Sequence, residues 1–134
     1  MKNKDYIPQN TNDIMAVERL KQLPFEAVRK DVPVLLEWLQ DSHWDVAEGI
    51  SEYLAPYINE ITQEVLFVLN TDDGTWKYFL IYGLIGRSQD KLAPDLIETL
   101  RRIAEHPTNI EIEDAVDEAA KDMIANKALC GYGM

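Results

Sequence analysis

Between Asp31 and Trp76 the chain carries ten carboxylates and not one lysine or arginine. They are Asp31, Glu37, Asp41, Asp45, Glu48, Glu52, Glu60, Glu64, Asp72 and Asp73. The pairs Glu37/Asp41, Asp45/Glu48, Glu48/Glu52 and Glu60/Glu64 are three or four residues apart, so each pair shares a helix face. Paired carboxylates can flank a glycosidic bond as acid and base, or hold a divalent cation. Acid and base work requires two carboxyls in different environments, and spacing along a helix surface supplies no such asymmetry. An enzyme is therefore the weakest reading. A solvated face that keeps the protein soluble is the bland one. The sharper one is a binding surface for a basic protein or peptide, because like charges at this spacing each cost roughly a few tenths of a kcal/mol and nothing local offsets them.

Other residues with chemistry are sparse. His43 lies between Asp41 and Asp45 in a predicted turn, where no reaction is implied. His106, before Pro107, complements a helix C-terminus. Cys130 is the single cysteine, which excludes an intrachain disulfide and a thiolate zinc cluster. Asn70 to Gly74 resembles the start of a calcium loop, yet position twelve is Ile81 where a glutamate is required, so it reads as a turn with Asp73 as the next cap. No catalytic, metal or cofactor residue is assigned. Trp38, Trp44, Trp76, Tyr53, Tyr57, Tyr78 and Tyr82 could line a groove, but core packing is the simpler role for most of them. Phe67, three residues after Glu64 and seven after Glu60, falls on the less apolar face and is an expected exposed anchor. The candidate partner-binding set is thus Glu37, Asp41, Trp44, Asp45, Glu48, Glu52, Glu60, Glu64 and Phe67.

The elements that must position these residues are helical. Val32, Leu35, Leu36 and Leu39 recur at the spacing of one helix face, with Pro33 in the first turn. Ser42 and Asp45 resemble a capping box before a helix with Val46, Ala47, Ile50, Tyr53 and Leu54 inside, and Pro56 marks the next break. Ile58, Ile61, Val65, Leu66, Val68 and Leu69 define a third face. Trp76 to Ile85 is apolar nearly all round and is predicted as the central helix. Pro94 opens a helix with Leu96, Ile97, Leu100, Ile103 and Ala104 inside and Arg101 and Arg102 outside, placed to pair with Glu98 and Glu105. Thr108 and Glu111 form a capping box for a last helix with Ile112, Ala115, Val116, Ala119 and Met123 inside. Before these, Val17 and Leu20 mark a short helix ending before Pro24, and Phe25 to Lys30 another. No run alternates with the period of a strand.

The 134 residues suit one domain, with 46% apolar and 28% charged residues and a net charge of -11. That charge argues against nucleic acid and favours basic partners, since phosphate binding draws on lysine and arginine. No apolar run has the length of a membrane span, the first residues lack a signal-peptide core, and the place of Cys130 does not fit prenylation, so a reducing cytoplasm is the expected compartment. Residues 1–12 are predicted as a flexible arm, 13–126 as the domain and 127–134 as a tail.

The helices come in pairs. Trp44 and Trp76 each open the second helix of a pair and are 32 residues apart; Leu39 and Leu69 each close the first and are 30 apart. This predicts an all-α fold of two-helix repeats stacked as a right-handed α-α superhelix. The strings Ala16-Val17-Glu18-Arg19-Leu20, Leu35-Leu36-Glu37-Trp38-Leu39-Gln40-Asp41 with Trp44 and Val46-Ala47, and Asp72-Asp73-Gly74-Thr75-Trp76-Lys77-Tyr78 resemble the bacterial domain-of-unknown-function family 5071, over about residues 5 to 125. In that family a proline commonly follows the first paired tryptophan, where this chain has Asp45. The resemblance implies a small cytoplasmic domain similar to HEAT repeats and no activity, with interaction or immunity roles by analogy. The expected function is non-catalytic binding of a basic protein or peptide. The alternatives are a toxin-neutralising immunity protein, a self-associating homodimer and, last, a carboxylate-based enzyme.

Overall fold

Caps and prolines set where the helices begin. The computed structural model describes residues 4–41, 43–88 and 91–129, with side chains as far as residue 126. Among these residues every regular element is helical. Helix α1 (Ile14–Leu20) starts behind Asp13, whose carboxylate accepts the Ala16 amide at 3.3 Å. Pro24 precedes α2 (Phe25–Val28), and a tighter turn at Arg29–Asp31 leads into α3 (Val32–Glu37). Pro33 sits in the first turn of α3, where its missing amide hydrogen has no helical partner to lose. Helix α4 (Asp45–Leu54) runs into a 3-10 segment, Ala55–Glu60, so Pro56 tightens the chain without stopping it. Helices α5 (Thr62–Leu69), α6 (Gly74–Gly83), α7 (Pro94–Glu105), α8 (Asn109–Glu113) and α9 (Val116–Leu129) complete the order.

The start of α4 is satisfied from a distance. Ser42 and Cys130 lie outside the described residues. The residue before α4 is Trp44, which makes no side-chain cap, and the Val46 amide instead donates to the Thr11 carbonyl at 3.1 Å. Thr11 belongs to the segment expected as a loose arm. That segment also places Lys4 Nζ 2.8 Å and the Tyr6 hydroxyl 2.5 Å from the Asp31 carboxylate, and buries Pro8. Burial alone would raise the Asp31 pKa, but the hydrogen bonds from Lys4 and Tyr6 prevail and hold it below the usual range.

The periodic apolar positions converge on one core. Leu20, Val32, Leu35, Leu36, Ile50, Leu54, Ile58, Ile61, Leu69, Leu80, Ile81, Leu96, Ile103 and Val116 are all inaccessible to solvent or nearly so. Helix α5 packs against α3, α6 and α7, α9 covers α6 and α7, and α1 covers α4. Two expectations fail here. The last helix does not run unbroken from residue 109, because Ala115 adopts φ 61° between α8 and α9, and Ile112 on α8 is 54% exposed. A left-handed alanine costs about 1 kcal/mol, so the packing around it must hold the turn. Helix α6 is also less enclosed than its composition suggests, since Tyr82 is exposed.

The polar residue that α6 buries is Lys77. Its Nζ donates to Glu111 Oε2 at 2.8 Å, with Lys77 at 3% and Glu111 at 0% side-chain exposure. Arg102 reaches the same carboxylate with two bonds, at 2.6 and 3.0 Å, and the Thr108 amide adds a fourth at 2.8 Å. The predicted capping box is formed, with the Thr108 hydroxyl accepting the Glu111 amide. Arg102 thus serves the cap across the α7–α8 turn rather than a neighbour on its own helix. Burial would raise the Glu111 pKa, but the bonds from Arg102, Lys77 and Thr108 outweigh it and hold the carboxyl down to about 2.

A carboxyl depressed in the folded state stabilises the protein above its unfolded pKa and loses that contribution as pH falls through the folded one. The loss expected for Glu111 between about pH 4.5 and 2 is on the order of 3 kcal/mol. Glu111→Gln leaves Lys77 buried without a counter-charge, so urea unfolding at pH 7 should show a loss of about 3 to 5 kcal/mol. The variant should also show a flatter acid limb over the same window.

Candidate functional site

The acidic face divides into answered and unanswered charges. Lys21 on the end of α1 donates to Glu52 at 3.0 Å, Arg29 to Glu60 at 3.1 Å, and Arg87 lies 3.8 Å from both Glu48 and Glu52. Asp41 accepts from the His43 backbone amide at 2.8 Å and meets its ring at 3.0 Å; the backbone bond is the larger cause of a lowered Asp41 pKa. Lys21, Arg29 and Arg87 all come from outside the Asp31 to Trp76 stretch. Among the described residues Glu37, Asp45 and Glu64 have no ion pair.

Two of those three acids meet in one place. A groove of about 250 Å³ is lined by Pro33, Leu36 and Glu37 from α3, Glu64, Phe67 and Val68 from α5, and Trp76 from α6. Val32, Leu35 and Leu36 point α3 into the core and leave Pro33 and Glu37 outward. Val65, Val68 and Leu69 do the same for α5, and Phe67 stands 70% exposed. Asp73 caps α6 by accepting the Trp76 amide at 3.0 Å, and the Trp76 indole N–H donates to the Leu36 carbonyl at 2.9 Å. That bond fixes the indole at the seam between α3 and α6. The result is an apolar floor with two uncompensated carboxylates on its rim.

The other sequence candidates are not part of this groove. Trp44 stacks edge-on against Trp38 with ring centroids 5.8 Å apart, and both are half-buried against the core. Glu48 lines a second, more polar cavity of about 370 Å³ with Ser51, Phe79, Tyr82, Gly83 and Arg87 among its walls. Glu52 and Glu60 are held at seams by Lys21 and Arg29. Trp76 is one of the aromatics expected as possible groove residues, whereas Pro33, Leu36 and Val68 carry no local signal as groove walls, although Pro33 and Phe67 stand off the apolar face of their helices. Among the described residues no three His, Cys, Asp or Glu side chains are grouped to hold a metal ion, and no helix is long and apolar enough to cross a membrane.

The family model for a domain of unknown function, DUF5071, matches residues 6–124. The chain belongs to that family. The match takes in the groove and the Glu111 junction together, so DUF5071 membership covers the whole described core. No curated protein matches the chain.

Within this DUF5071 domain the groove residues differ in their structural weight. Phe67→Ser should change stability by less than about 0.5 kcal/mol, because the ring is exposed. Trp76→Phe should cost about 1 kcal/mol through loss of the bond to Leu36. Urea midpoints of the two variants check the contrast.

Proposed function

We propose that the protein is a non-catalytic interaction module that binds a basic protein or peptide through the acidic face of α3, α4 and α5. The observation that carries this is the groove, where exposed Phe67 stands beside Glu37 and Glu64 and neither acid has a cation among the described residues. An exposed aromatic ring on an apolar floor is a typical interface anchor. Carboxylates without partners favour an incoming positive charge and steer its approach. Asp41, Asp45, Glu48, Glu52 and Glu60 extend the negative field around the groove, weakened where Lys21, Arg29 and Arg87 sit. Cytoplasmic residence agrees with the single cysteine.

The scaffold of this module is proposed to be a stack of HEAT-like helix pairs in a right-handed superhelix. Three features support it. Helix α5 lies between α3 and α7, and α6 packs on α9, as first helices and second helices of successive pairs do. Side-chain bonds also recur one period apart: Tyr53 to Leu23 at 30 residues, Lys21 to Glu52 and Arg29 to Glu60 at 31, and Asn59 to Lys91 at 32.

The test compares wild type with a variant carrying Glu37, Asp41, Glu48, Glu52, Glu60 and Glu64 changed to Gln, each immobilised and exposed to cell lysate at low and moderate salt. Basic proteins should be retained by wild type at low salt and released by salt or by the substitutions. Identical recovery on both proteins would sink the proposal, provided circular dichroism shows the variant folded.

A further inference from the structure

We infer that the groove between α3, α5 and α6 receives a single arginine side chain of the partner, with its stem along Phe67 and Trp76 and its guanidinium on Glu37 and Glu64. This rests on the reading that the partner is basic and names the group it presents. The chain itself shows the arrangement, completed, on its own surface. Arg29 lies over the Phe25 ring, 4.8 Å from its centroid. It donates to Glu26 through Nε at 3.3 Å and Nη2 at 2.8 Å, and to Glu60 through Nη2 at 3.1 Å. One aromatic ring and two carboxylates from separate elements hold one guanidinium.

The groove brings together the same kinds of group, with no lysine or arginine among its described lining residues. Phe67 and Trp76 provide the rings, Glu37 on α3 and Glu64 on α5 the carboxylates, and Pro33, Leu36 and Val68 an apolar floor for methylenes. Its volume of about 250 Å³ falls below that of most small-molecule pockets, and it offers no row of subsites for a whole amphipathic helix. It has the scale of one side chain. Arginine suits it better than lysine because the guanidinium is planar, weakly hydrated, stacks on rings and can serve two carboxylates at once.

The probe is a capped Gly-Arg-Gly amide, titrated at low salt into the isotope-labelled full chain. The Trp76 indole N–H, bonded to Leu36 in the groove wall, is the reporter. The same tripeptide with citrulline has nearly the same shape without the charge, and the lysine version keeps the charge without the plane. The arginine peptide should shift the Trp76 indole and Phe67 signals, with binding about tenfold tighter than the citrulline peptide and several-fold tighter than the lysine one. Glu37→Gln with Glu64→Gln should weaken it about tenfold, while removing two charges elsewhere, at Glu113 and Glu118, should not. These residues are on the surface, so an otherwise unchanged spectrum confirms that the variants fold. Equal binding of the citrulline peptide would overturn the inference. Shifts centred on Glu48 and Glu52, and indifferent to the Glu37 and Glu64 changes, would overturn the groove assignment while leaving the basic-partner reading standing. Absence of any shift with either basic peptide would remove both.

Discussion

A carboxylate with no exposure to water, Glu111, is the point on which the C-terminal half depends. Such a charge is tolerated in a protein interior only when its lone pairs are all answered, and here the donors come from α6, α7 and the turn before α8. Because hydrogen bonds are short and directional, those three elements can meet in few ways. The chain then turns at Ala115 and lays α9 across α6 and α7. Gly74 has no side chain for the related reason that a Cβ there would overlap Asp114 at the end of α8. A polar junction of this kind need not add net stability over an apolar one; what it supplies is a unique arrangement.

Asp31 plays the corresponding part in the N-terminal half. It ends the turn before α3 and gathers Lys4 and Tyr6 from the first residues described. Helix α3 carries the groove residues Pro33, Leu36 and Glu37, so the anchoring of its start and the bond from Trp76 at its middle together set the geometry of the groove. Structure and candidate site are therefore built by the same few polar contacts. The apolar core surrounds them but does not choose among arrangements so narrowly.

What the sequence revealed depended on the range of the signal. Apolar periodicity placed nearly every core residue of α3, α4, α5, α7 and α9, because a helix face is decided within seven residues. Local caps at Asp73 and Thr108 with Glu111 were equally legible. The break at Ala115 was not, since alanine is the best helix former and nothing in its neighbours calls for a left-handed residue. Lys77 stood out only as the charged residue of an otherwise apolar segment, and nothing near it announced a partner 34 residues away. The acidic stretch misled in the same manner. Its charges looked unopposed along the chain, yet Lys21 and Arg29 from before it and Arg87 from after it reach Glu52, Glu60 and Glu48. Phe67 could be found because it stands off the apolar face, whereas Trp76 could not be assigned to a groove wall without knowing which helices meet.

The recurrent separation of the side-chain links bears on how the chain folds. The side-chain hydrogen bonds of Trp76 to the Leu36 carbonyl and of Tyr82 to Asp122 bridge 40 residues, and several others bridge close to 31. Closing a loop of twice the length would cost only about 0.6 kcal/mol more, so loops this similar in size carry nearly equal entropic barriers. Among the described residues the closely packed element pairs do not join the first helix to the last. Each helix can settle on the ones just made, and the order of assembly can follow the order of the chain, which is the behaviour of topologies with short-range contacts and rapid folding.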